Sequence, residues 1–106
     1  MIAEVDASSS VSALQTINER GLRCWIRSSD SDFRRLALVP ELDTRSGDPR
    51  ILVVERGNSQ GLPVLVISAS GDPVTIETFG PLASEPLSNR INADIGAWMA
   101  GRTSCA

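Results

Sequence analysis

Apolar positions recur along this chain with two different periods, and the changes of period mark its elements. Near the start, Val11, Leu14 and Ile17 come at three-residue steps behind Ser8, Ser9 and Ser10. Apolar residues at that spacing share one face of a helix, and a serine hydroxyl caps a helix by accepting a free first-turn N–H. Gly21 supplies a C′ residue, so the pattern predicts a helix from about Ser9 to Arg20, with residues 1–7 frayed or loosely docked ahead of it. From Leu22 the pattern becomes alternation. Leu22, Cys24 and Ile26 face one way and Arg23, Trp25 and Arg27 the other, which predicts a half-buried strand. Ser28 to Asp32 is a cluster of turn formers, and Phe33 to Val39 reads as the returning strand, closed by Pro40.

A polar stretch from Glu41 to Pro49 leads into Arg50–Glu55, whose run Ile51-Leu52-Val53-Val54 suits a central strand. Gly57 to Gly61 is a hairpin loop, and Leu62 to Ser68 is the next strand, with Pro63 near its start. Val74 to Phe79 alternates until Gly80-Pro81 breaks it. The tetrapeptide Ser-Gly-Asp-Pro occurs at Ser46 and again at Ser70, each time just before an apolar strand. Shared turn chemistry explains the repetition better than a duplicated unit, because Gly permits positive φ and Asp caps the turn. Ser84, as N-cap, opens the last element with Glu85 and Pro86. Leu87, Ile91, Ile95 and Trp98 then make a helical stripe, Met99 widens it, and Gly101 stands at C′. Arg102 to Ala106 reads as a mobile tail.

The order is helix, five strands, helix, with hairpin-length links that favour antiparallel pairing, since parallel strands need long crossovers. The expected fold class is therefore α+β: a two-layer, five-stranded, mainly antiparallel meander with the N-terminal and C-terminal helices packed on one face. One small domain is expected over 1–106, with 1–7 and 102–106 flexible. The 42% hydrophobic and 22% charged composition supports a real core and excludes long-range disorder.

Composition narrows the chemistry. The chain has no His, no Lys and no Tyr, which leaves Asp, Glu, Cys, Ser, Thr and Arg. His performs most acid/base work near neutrality, and Lys supplies amine nucleophiles. Their absence favours a domain that acts by contact and disfavours an enzyme. A net charge of −3 disfavours nucleic acid as a partner. No apolar stretch is long enough to span a bilayer, and the acidic N-terminal residues do not form a leader. Cys24 and Cys105, without His, make neither a zinc site nor the framework of a secreted scaffold. They read as two free thiols in a reducing cytosol, which gives a cytoplasmic expectation.

Two groups of residues are candidates for function. Asp30 with Asp32, and Glu41 with Asp43, could hold a hard cation through oxygen ligands. Neither pair has the spacing of a calcium loop, so both read as solvated turn residues, with no metal and no cofactor expected. The second group is basic. Arg20, Arg23, Arg27, Arg34 and Arg35 fall within a short span that also holds Trp25. Trp and Arg dominate binding hot spots, and arginine pairs well with carboxylates. This predicts a Trp/Arg sheet surface made of Arg23, Trp25, Arg27, Arg34 and Arg35, with another protein, preferably an acidic surface, as partner. A homodimer formed through an edge such as Leu62–Ser68 or Leu22–Arg27 is compatible with it. The function expected is a small non-catalytic protein-binding domain of the adaptor, inhibitor, immunity or chaperone-like kind. The alternative is a small carboxylate-based enzyme or a metal or small-molecule binder.

Overall fold

The first helical stripe runs further than its sequence pattern suggests. In the computed structural model, which describes residues 1–43, 45, 47–58 and 60–105, helix α1 spans Ser10–Gly21. The Ser9 hydroxyl caps it, accepting from the Ser12 N–H at 3.0 Å. The chain then passes without a break into a π-helical turn, Leu22–Ile26, closed by a 2.8 Å hydrogen bond from the Arg27 N–H to the Leu22 carbonyl. The expected strand at Leu22–Arg27 is therefore not formed. Buried Ala13, Leu14, Ile17, Gly21, Cys24 and Trp25 make one continuous helical stripe. A short run that alternates can also satisfy helical spacing, and here packing decides between them. Gly21 is helical, with φ −62°, and is not a C′ residue. It is small because a Cβ there would lie 2.9 Å from Leu38 Cδ1 and 3.0 Å from Trp25 Cε3.

The sheet has five antiparallel strands in the order β1-β5-β4-β3-β2, and with the two helices it makes the fold α+β. The strands are β1 Ile2–Val5, β2 Leu36–Glu41, β3 Arg50–Glu55, β4 Leu65–Ser70 and β5 Val74–Phe79. Strands β2 to β5 form the expected meander, and the fifth member comes from the N-terminus. Residues read as frayed are paired with β5, Ala3 opposite Ile76 and Val5 opposite Val74. Phe33 lies in a 3-10 turn, Ser31–Phe33, so β2 starts later than the returning strand predicted at Phe33–Val39 and continues through Pro40. An edge strand tolerates proline because its outer side needs no ladder donor. The free edges are β1 and β2. Neither expected edge is one of them, since Leu22–Ile26 is helical and β4 lies between β3 and β5.

Both helices cover one face of this sheet. Alternation sends Ile51, Val53, Leu65, Ile67, Ala69, Val74 and Ile76 inward, where they join α1 residues Leu14 and Ile17 in one core cluster. Helix α2, Leu87–Met99, adds Ile91, Ile95 and Trp98 to that cluster, and the Thr78 hydroxyl of β5 bonds Asn92 Oδ1 at 3.0 Å. Ser84 does not cap α2. It ends a 3-10 turn, Pro81–Ser84, and Pro86 occupies the N-cap position. The Ser88 hydroxyl donates back to the carbonyls of Ala83 and Glu85. Gly101, with φ +109°, stands just past the helix as its pattern predicts and donates its N–H to the Trp98 carbonyl.

The C-terminal residues are tied down, contrary to the expectation of a mobile tail. Cys105 forms a disulfide with Cys24, and among the described residues neither thiol is free. Arg20 donates to the carbonyls of Trp98 (3.2 Å) and Arg102 (2.9 Å), and Arg23 donates to the Thr103 carbonyl. Sequence separation of 81 residues hid the pairing, because only the fold brings the two cysteines together.

Candidate functional site

The residues expected to form a Trp/Arg surface do not assemble into one. Trp25 is only 1% exposed. Its ring stacks on Phe33 at 5.4 Å between centroids and meets Trp98 at 5.0 Å. Its indole N–H donates to Asp94 Oδ2 at 2.9 Å, so both the apolar body and the polar tip are satisfied inside. The arginines near it are scattered by the helical turn. Arg23 holds the C-terminal segment, Arg35 pairs with Glu85 at 3.4 Å, and Arg27 and Arg34 are exposed without Trp25 beside them on a common surface. Arg34 lines a shallow groove of about 270 Å³ with Ile26, Ser28, Ser29, Asp30 and Arg56.

The candidate carboxylates are each engaged by arginine. Asp30 accepts from Arg90 and, through Oδ1, from the Asp32 N–H at 2.9 Å. The Arg90 hydrogen bond, with help from that N–H, holds the Asp30 carboxyl below the usual aspartate range. Arg90 is raised in turn, chiefly by Asp30. Asp32 lies 3.9 Å from the same guanidinium. Glu41 pairs with Arg50 at 2.7 Å. Asp43 takes a forked contact from Arg45, which lowers its carboxyl as well. Among the described residues no three of His, Cys, Asp and Glu converge on one point.

Partly exposed apolar side chains also line the face of the sheet opposite the helices. The strand registers align Val39 with Leu52, Leu52 with Val66, and Val66 with Phe79. One row of apolar side chains thus crosses β2, β3, β4 and β5. None of these residues belongs to the core cluster or packs against it. Val39, Leu52 and Val66 are partly exposed and Phe79 is 47% exposed. Ala37 and Val54 pair on one side of the row, and Val54 is fully buried, so the face is covered at that end and exposed along the row itself. The next row on the other side is polar and runs Glu41, Arg50, Ser68, Glu77, ending at Ile2 of β1, which is 73% exposed. Glu4 and Glu77 sit on neighbouring strands of this half, and neither has an ion-pair partner among the described residues.

This face was legible in part. Alternation from Val74 to Phe79 puts Phe79 on the side of Thr75 and Glu77, an aromatic where a solvated residue belongs. The row itself depends on register between strands that a single sequence does not fix. Asp94 could likewise have been noticed, since it falls beside Ile91, Ile95 and Trp98 in the apolar stripe of α2. No known family, curated protein or solved structure matches the chain.

Proposed function

We propose that this chain is a small non-catalytic protein-binding domain and that its contact surface is the open face of the sheet. The observation that carries the reading is the four-strand row Val39, Leu52, Val66 and Phe79, apolar and left uncovered by both helices. Contiguous exposed apolar surface on a small domain marks a place of contact. The chemistry of the chain supports the same reading, since His, Lys and Tyr are absent and the candidate carboxylates are paired with arginine. Among the described residues no helix is long and apolar enough to cross a membrane. The Cys24–Cys105 disulfide removes the ground for a reducing cytosol, and we place the chain in an oxidising milieu, where such bonds persist.

The test uses substitutions on the face. Leu52→Asp and Phe79→Asp put charge on the row without touching the core cluster. Cross-linked partners recovered from the source cells with the native chain should be lost with both variants, while the thermal midpoint of each stays near that of the native chain. Recovery unchanged in both variants would overturn the reading. Mass spectrometry under denaturing, non-reducing conditions checks the milieu: the chain isolated from its source should carry no alkylatable thiol.

A further inference from the structure

We infer that the partner of the open face is a basic amphipathic helical segment of another protein, apolar along one side and cationic along the flank that meets Glu4 and Glu77. The inference rests on the reading of that face as the contact surface and adds the chemistry of what covers it. Three features of the face select this occupant.

The first is shape. A row that crosses four neighbouring strands spans three inter-strand steps, about 14 Å, which an apolar stripe of about three helical turns matches. The second is area. Five strands of this length present a face of about 400–500 Å², well below the roughly 800 Å² per partner of a standard stable interface. A second copy stacked face to face would fall short of a stable dimer of standard size. The third is charge. On the polar half of the face Arg50 is neutralised by Glu41 at 2.7 Å, which leaves Glu4 and Glu77 as uncompensated carboxylates. A twofold stack would confine these acids of both copies within one small contact. A segment carrying Lys or Arg on the matching flank complements them and is steered to the face by them.

The probes are two synthetic peptides of about three helical turns with the same leucine stripe, one with lysine and one with glutamate at the polar positions. They are titrated into the isotopically labelled chain, and amide shifts are mapped by NMR. The lysine peptide should shift residues around Leu52, Val66 and Phe79 and saturate, and the glutamate peptide should not. Glu4→Gln combined with Glu77→Gln should weaken the lysine peptide about fivefold, as expected for two solvent-exposed pairs, and raised salt should weaken it likewise. Both glutamates are exposed and lack ion-pair partners among the described residues, so the double variant should keep its thermal midpoint. Equal affinity for the two peptides, or indifference to the double variant, overturns the basic segment but leaves the face itself in place. Concentration-dependent dimerisation abolished by Phe79→Asp also overturns it, in favour of a second copy. Shifts confined to other surfaces, together with partner recovery that Leu52→Asp and Phe79→Asp do not alter, overturn the face and the segment together.

Discussion

Arginine in this chain acts mainly as an internal fastener. Arg90 illustrates it: the guanidinium bonds Asp30, approaches Asp94 at 3.6 Å and lies 5.0 Å over the Phe33 ring. Arg102 bonds the other oxygen of Asp94 at 2.9 Å, and the carboxylate is thus held from three directions, with the Trp25 N–H as the third. A buried carboxylate is stable only with such company. The Asp30–Arg90 bond carries a pH dependence whose sign is fixed. Arg90 lowers the Asp30 carboxyl in the folded state, so the folded chain holds that proton less tightly than the unfolded chain. The pair therefore adds stability above the ordinary aspartate range near pH 4, and that contribution disappears as the pH falls through the lower folded value. Asp30→Asn should flatten the acid limb of the stability curve below about pH 4 and lower the plateau near neutrality, as read by urea unfolding across pH. A sequence shows that Arg20 and Arg23 lie near Arg27, Arg34 and Arg35. It does not show that Arg20 and Arg23 reach the carbonyls of the C-terminal segment, because that depends on a helix continuing where alternation suggests a strand.

Among the elements, those with a long, strongly periodic pattern were legible and the short ones were not. Helix α2 and strands β3 and β5 lie where their periods place them, because thirteen residues of one stripe, or six of another, leave little freedom. The segment Leu22–Ile26 satisfies both periods, and Gly21 looked like a stop signal when it is a close-packing residue. Strand β1 has only four residues and becomes a strand by pairing with β5, which no local pattern announces. The C-terminal segment 100–105 is held by the disulfide together with the Arg20 and Arg23 contacts. A disulfide across 81 residues stabilises by about 4–5 kcal/mol in the loop-entropy picture. Cys24→Ser combined with Cys105→Ser should lower the thermal midpoint by well over ten degrees for a domain of this size. Amide exchange should quicken first from Arg102 to Cys105 and less at α2, where Ile91 and Ile95 remain in the core. A midpoint unchanged by the double substitution would show that the arginine contacts alone hold the segment.

At the scale of the whole molecule, the α+β class, the antiparallel sheet and the common side of the helices all follow from apolar positions and short links. A composition poor in proton-transfer groups gave the functional class that we now propose. Alternation points Trp25 outward, whereas it stands at the centre of the aromatic cluster, 1% exposed. With Trp25 interior, the apolar row on the face opposite the helices is the surface that we propose for contact. The sheet thus carries both helices on one side and the partly exposed row Val39, Leu52, Val66 and Phe79 on the other.

The bond between Cys24 and Cys105 also gives the chain an unusual outline as a polymer. It turns the stretch from 24 to 105 into a covalent ring that contains β2 to β5 and α2, with β1 and α1 attached as a branch. A protease that opens the exposed hairpin around Gly57 would convert the ring into two fragments still carried as one molecule. Such a nicked chain should migrate at full mass on a denaturing gel until a thiol is added, and only then separate into its halves.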